Sequence, residues 1–124
     1  FPLVGNPAGV LVNGVVVPIE TLRHAYHAAE MRDLLGGVAQ ATVVEIGGGL
    51  GGQAYQAIQL GAGRVSKYLI FDIPEVAAIS SYFLLSACPD RRVRLFGEGP
   101  VSCAPDDAYD LAVLPHFTVL QNLE

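Results

Sequence analysis

The stretch Ala41–Gly52, ATVVEIGGGLGG, drives a short β-branched run into a cluster of glycines and leaves it in a helix-like pattern. Thr42, Val43, Val44 and Ile46 suit a strand buried on both faces, as in a parallel sheet. Gly47, Gly48, Gly49, Gly51 and Gly52 remove every Cβ where the chain must turn. Beyond the turn, Gln53–Leu60 reads as a helix with Ala54, Ala57, Ile58 and Leu60 on one side and Gly61 as its stop. Strand, glycine turn and helix N-terminus in succession let backbone approach a ligand closely and aim unpaired N–H groups at an acceptor.

Downstream, strand and helix patterns alternate, which calls for a parallel sheet with crossover helices. Lys67–Ile73, KYLIFDI, is the second strand, and its Asp72 falls at the carboxyl edge where such sheets bind ligands. Pro74 breaks it, and Glu75–Ala87 continues as a helix with Val76, Ile79, Phe83 and Leu84 inward. Arg91–Phe96 is a short third strand, after which the turn Gly97–Pro100 carries Glu98 to the same edge. The fourth strand is Tyr109–Leu114, stopped by Pro115 and followed by His116 and Phe117, and Thr118–Glu124 begins a helix.

Upstream, Val10–Val17 is two apolar runs meeting at Asn13-Gly14, the pattern of a two-residue hairpin. Glu20–Leu35 follows as a helix with Leu22, Ala25, Tyr26, Ala29 and Leu34 on its apolar face, while Arg23, His24, His27, Glu30 and Asp33 lie largely off it. His24 and His27 lack a third ligand at metal spacing and read as solvated or locally hydrogen-bonded. Asp106, Asp107 and Asp110 read as a solvated turn, and no metal ligand set is assigned.

The chain has 124 residues, 52% hydrophobic and 15% charged, enough for one domain with a genuine core. A net charge of −5 and the lack of a basic stripe argue against nucleic acid as partner. The longest apolar region, Tyr68–Cys88, is interrupted by Asp72, Pro74 and Glu75, so no segment is expected to span a membrane. Cys88 and Cys103 read as reduced thiols of a cytoplasmic protein, with a bridge between them as the alternative.

Two cofactor readings of the glycine stretch are open. Gly47-x-Gly49-x-x-Gly52, with Asp72 about 20 residues on, satisfies the dinucleotide fingerprint of a nicotinamide oxidoreductase. Glu45-x-Gly47-x-Gly49-x-Gly51 resembles instead the first motif of the class I S-adenosylmethionine methyltransferases. Glu45 discriminates, because a carboxylate opposes a pyrophosphate and suits a ligand carrying an α-ammonium group. A glycine turn with no ligand is the bland counterpart of both.

GNPAGVLVNGVVVPIETLRHAY, VVEIGGGLGGQAY, YLIFDIPEV, VRLFGEG and YDLAVLPHF, in that order, resemble the sugar O-methyltransferase branch of that superfamily over nearly the whole chain. The resemblance implies a Rossmann-like α/β fold with helices on both faces of a parallel sheet. Residues 41–124 would form a partial S-adenosylmethionine-binding domain that stops after the fourth strand, and residues 1–40 a hairpin-and-helix cap.

The same resemblance implies roles for single residues. Glu45, Gly47, Gly49 and Gly51 would line the methionine end of the cofactor, Asp72 would take the ribose hydroxyls and Glu98 would stand on the adenine side. Arg23 and Tyr26 would reach the cofactor carboxylate. Leu114-Pro115-His116-Phe117 departs from the family, which tends to carry a polar stretch and an acidic residue there; His116 falls where a residue between cofactor and substrate would sit, and it reads either as the acceptor of a sugar hydroxyl proton or as a polar residue that closes the strand end. The strand order would be third, second, first, fourth. That order leaves the fourth strand as a bare edge able to pair with a second copy. A non-catalytic fragment of the same fold is the third reading.

Overall fold

The computed structural model describes residues 2–5, 7–61, 63–104 and 108–122. Strands β1 (Gly9–Val12) and β2 (Val15–Pro18) form an antiparallel hairpin with Val12 opposite Val15. Its two linking residues, Asn13 and Gly14, take φ of 50° and 81°, the mirror-image turn that matches the twist of a hairpin. Helix α1 (Thr21–Leu35) then leads to β3 (Ala41–Ile46), α2 (Gly52–Leu60), β4 (Val65–Asp72), α3 (Pro74–Ala87), β5 (Val93–Leu95) and β6 (Leu111–Pro115). A short 3₁₀ turn (His116–Thr118) and α4 (Val119–Asn122) follow.

The four later strands make one parallel sheet in the order β3-β4-β6-β5. The expected order, third, second, first, fourth, is therefore corrected. The fourth strand lies between the second and the third, and every residue of β6 is buried, so no bare fourth-strand edge exists to pair with a second copy. Across the sheet the parallel strands run first, second, fourth, third, which differs from the third, second, first order of one half of a doubly wound sheet by the insertion of β6 between β4 and β5.

Register explains which side chains share a face. Val43, Tyr68, Leu111 and Val93 form one row, and Glu45, Ile70, Val113 and Leu95 the next. Both rows face α1, α2 and α3, whose Ala28, Ala54, Ala57, Phe83 and Leu84 complete the larger core. Tyr55 of α2 meets Phe83 of α3 edge to face at 6.2 Å between ring centres. The opposite face holds Leu69, Phe71, Ala112 and Leu114 under Tyr109, Val101, Cys103 and Val119. Helices on both faces were expected. Instead the three long helices share one face, and the other is covered by the 101–104 segment, Tyr109 and one residue of α4.

This arrangement follows from connection handedness. The β3–α2–β4 and β4–α3–β5 crossovers run over one face and step the same way across the sheet, while the return from β5 to β6 runs over the other face and steps back. All three connections thus share one hand, as parallel crossovers require.

The second face is held by a buried cation. Lys67 is 1% exposed, its Nζ donates to the carbonyls of Ala104 at 2.5 Å and Ser102 at 3.3 Å, and it lies 4.4 Å from the centre of the Tyr109 ring. Tyr109 in turn donates its hydroxyl to Ser102 O and accepts from Ser102 N. Asp110 was expected in a solvated turn, but it is partly buried and accepts from the Arg92 backbone N–H at 2.9 Å and from the guanidinium at 2.8 Å. The Arg92 hydrogen bond holds its carboxyl below the usual carboxylate range, against a smaller opposing effect of burial. Asp106 and Asp107 lie outside the described residues. Cys88 belongs to the helix-side core and Cys103 to the opposite cluster, so the sheet separates the two thiols.

Two helix faces differ from expectation. On α1, Leu22, Tyr26 and Leu34 point outward, Leu34 being 88% exposed, and the inward stripe is Thr21, His24, Ala25, Ala28, Met31 and Leu35. Small Ala28 lets α1 lie close on α2, whereas the larger apolar residues would hold it away. On α3, Ile79 is exposed, and Ala77, Ser80, Phe83 and Leu84 form the buried stripe. Strand β3, expected to be buried on both faces, is an edge strand whose Val44 and Ile46 are exposed, because nothing described covers the second face there.

Leu84 lies within 3.1 Å of where a Cβ on Gly51 would sit, so it supports the glycine turn from below. Leu84→Ala should cost about 2–5 kcal/mol in denaturant unfolding. Leu85→Ala, one residue on and half exposed, should stay within about 0.5 kcal/mol.

Candidate functional site

A groove of about 900 Å³ runs between the hairpin exit and α1 on one side and β3 with the glycine turn on the other. That volume is of the size that holds a small-molecule ligand. Its walls include Glu20, Thr21, Arg23, His24 and Met31 from the α1 side, and Val43–Gly49, Gly52, Gln53 and Tyr68 from the sheet side.

The glycines of the turn serve two different needs. Gly47, Gly49 and Gly51 take φ of 79°, 56° and 93°, left-handed values that L side chains rarely adopt. Gly48 and Gly52 are there for space. A Cβ on Gly48 would sit 2.6 Å from Ile70 and 3.0 Å from the Glu45 carboxylate, and one on Gly52 would sit 2.5 Å from His24 Nδ1. Gly52 is thus where α1 and α2 touch. Gly51 caps α2 in the left-handed conformation, and no side chain caps that helix.

Asp72 closes the turn. One carboxylate oxygen accepts from Gly49 N–H at 2.9 Å and the other from Ile73 N–H at 2.8 Å, while Gly47 N–H continues the ladder to Phe71 O at 2.8 Å. The end of β4 is in this way tied to the loop that follows β3. Glu45 is half-buried and accepts from the Tyr68 hydroxyl at 3.1 Å. Burial raises the Glu45 pKa, the Tyr68 hydrogen bond opposes that, and the charge of Asp72 raises it further. Burial pushes the Tyr68 hydroxyl up as well, and the Glu45 charge adds to it.

Three groove-lining residues each bury a polar side-chain atom that has no hydrogen-bond partner among the described residues: Thr21 Oγ1, His24 Nδ1 and Gln53 Nε2. Burial lowers the His24 pKa, Arg23 adds to the shift, and Glu20 opposes it. Orphaned donors and acceptors of this kind cost free energy unless something meets them.

The expected site residues divide. Glu45, Gly47 and Gly49 line the groove, and Asp72 reaches it through Gly49. Gly51 packs beneath, against Leu84. Glu98 caps the end of β5 by accepting from Leu95 N–H at 2.8 Å, with β6 between its strand and β4. His116 is exposed and follows Pro115, the register partner of Asp72, with its ring 5.9 Å from that of Phe117. Neither Glu98 nor His116 lines the groove. Arg23 does, in an ion pair with Glu20 at 2.6 Å, but Tyr26 points outward and donates to Glu30 at 2.8 Å.

Thr21, His24, Gln53 and Tyr68 belong to the groove without having been singled out for it. Thr21 and His24 are one turn apart on the true inner face of α1, a signal hidden by the larger apolar residues outside. Among the described residues no cluster of three or more metal-ligating side chains occurs, and no helix is long and apolar enough to cross a membrane. The chain matches no protein-family model, no curated protein and no solved structure. Its architecture defines a parallel α/β protein with a glycine-turn groove at the carboxyl end of its first parallel strand.

A lowered His24 pKa gives a testable sign. The native state resists protonating His24, so its contribution to stability is complete above the unfolded pKa of about 6.5 and is lost as pH falls from there toward the folded value. Thermal unfolding of the wild type between pH 7.5 and pH 5 should therefore show a steeper loss than His24→Gln over the same range.

Proposed function

We propose that this chain carries the S-adenosylmethionine-binding half of an O-methyltransferase whose acceptor is a sugar hydroxyl. The observation that carries the reading is Glu45, a half-buried carboxylate in the groove one residue before the strand gives way to the glycine turn, beside an aspartate clasp at the next strand. Parallel pairing of β3 with β4 supports it, since the glycine turn after β3 and Asp72 at the end of β4 stand side by side at the carboxyl edge, where such sheets hold ligands.

On this reading Glu45 receives the α-ammonium group, the amides and open space of Gly47–Gly49 receive the methionine chain, and Asp72 takes the ribose hydroxyls. The bound cofactor supplies an electrophilic methyl group. The chain's own part is alignment: the turn fixes the backbone, and α1 closes the groove against water. His116 and Phe117 follow β6 and so stand toward the adenine, with His116 a better neighbour for the base than for the methyl group. Glu98 has its carboxylate on the β5 turn and contributes no contact. The acceptor class rests on the sequence resemblance alone, and a reducing, cytoplasmic setting goes with it.

A nicotinamide dinucleotide is the second reading, favoured by Gly52, which permits the close helix contact that the third glycine of that fingerprint provides. Calorimetric titration separates the two. S-adenosylhomocysteine should bind and NAD should not, with Glu45→Ala and Asp72→Ala each weakening the first by about tenfold or more. Binding of NAD alone, or improvement of it by Glu45→Ala, would replace the methyltransferase reading. In the same samples Glu45→Gln should melt higher than wild type at neutral pH. A raised native pKa means that ionising Glu45 costs stability as pH rises above its unfolded value.

A further inference from the structure

Strand β3 is an outer strand of its sheet, and one of its two edges has no neighbour. Gly47 N–H bonds across to Phe71 O, so by alternation Glu45 and Val43 also turn their peptide groups toward β4. The N–H and C=O groups of Val44 and Ile46 point the other way, where no strand of the described residues meets them. The groove follows this edge. It is lined by Val43, Val44, Glu45 and Ile46 in succession, residues whose side chains alternate between the two faces of the strand.

The hairpin has the opposite problem, two strands and no sheet to join. A two-stranded hairpin alone is marginal in water, and here Val10, Leu11, Val12 and Val15 are all exposed. Ile19 N–H bonds to Ala8 O, which makes Val10–Val17 and Val12–Val15 the bonded pairs and turns the peptide groups of Gly9 and Leu11 outward from β1. On β2 the outward positions are Val16 and Pro18, and proline has no N–H to give. The edge able to extend a ladder is therefore that of β1. It is also unguarded, because residues 1–19 hold no Asp, Glu, Lys, Arg or His, and charge is a common guard of exposed edge strands.

We propose that β1 of each copy of this chain pairs with β3 of a second copy in a two-fold dimer. In an antiparallel join Leu11 stands directly opposite Val44 or Ile46, on the same face. Leu11 and Ile46, each 72% exposed, are then covered together. The neutral hairpin also lets two chains of net charge −5 meet without like-charge repulsion at the contact. Area agrees. The chain exposes 7008 Å², whereas a monomer of 13.1 kDa exposes about 6,400 Å². The difference, about 600 Å² per copy, approaches the roughly 800 Å² that each partner gives to a standard interface. Pairing of this kind needs no cofactor, so the dimer holds whether or not the methyltransferase reading does.

Sedimentation of the full chain across the micromolar range reads the association, and a dimer is the expected species. Leu11→Lys and Ile46→Lys, both at exposed positions, should each weaken it by about tenfold or more. Leu34→Lys, exposed on α1 away from both strands, should leave it unchanged. Amide exchange by NMR is the second readout. The N–H groups of Leu11, Val44 and Ile46 should exchange about tenfold or more slowly in the dimer than on dilution, while those of Val12 and Glu45, bonded within the chain, should not change.

A chain that stays monomeric overturns the proposal, and slowed exchange at Val44 and Ile46 on adding S-adenosylhomocysteine to that monomer gives the edge to the small ligand instead. A dimer that survives both lysine substitutions, or one in which Val44 and Ile46 still exchange fast, has its contact elsewhere and overturns the proposal too.

Discussion

The clasp between Asp72 and the glycine turn is the constraint on which the rest of this structure depends. Parallel pairing of β3 with β4 brings two strand ends level, and the hydrogen bonds Gly47 N–H to Phe71 O and Gly49 N–H to Asp72 carry that pairing past the strand into the loop. A turn with three left-handed glycines would otherwise be the least determined segment of the chain, since glycine loses the most freedom on folding. Tied at Gly49 and propped by Leu84 beneath Gly51, it presents the first turn of α2 to the groove in one orientation.

The two faces of the sheet are stabilised by different physics. The helix side is an ordinary apolar core built on small residues, Ala28, Ala54, Ala57 and Ala77, which lets three helices lie close, with Phe83 and Leu84 filling the remaining volume. The far side has no long helix to cover it. There a buried ammonium gathers the carbonyls of the 101–104 segment and the face of Tyr109, so polar groups close a surface that side-chain burial alone does not. The cover reaches β3 only at Thr42, which donates to Cys103 O at 2.9 Å, and leaves Val44 and Ile46, the latter 72% exposed, bare on a strand whose composition suits full burial.

The groove carries tension between stability and ligand chemistry. Glu45 is kept where ionising it is disfavoured, and His24 where protonating it is disfavoured, each mainly by burial. Groups held against their solvent preference and left with orphaned neighbours are characteristic of sites that bind something. Sequence reading found Glu45 because a carboxylate closing a β-branched strand before glycines is a local pattern. His24, paired in the sequence only with His27 and with no third ligand at metal spacing, carries no local sign that it lies at this groove.

The amino-acid sequence by itself determined the elements: the Asn13-Gly14 hairpin, the strand-turn-helix at Ala41–Gly52, the aspartate ending KYLIFD and the alternation that makes the sheet parallel. Each of these is written in a short window, through backbone conformations that only certain residues accept or through the period of apolar side chains. Tertiary structure decided everything that depends on what lies opposite. It set the place of β6 between β4 and β5, the loss of helices from one face, and the inward face of α1, where close contact at Gly52 outweighed the burial of Leu22, Tyr26 and Leu34. It also removed Glu98 and His116 from the groove and brought Thr21, His24 and Gln53 into it. Strand order and helix facing are settled by packing between segments far apart in the chain, and no local window holds that information.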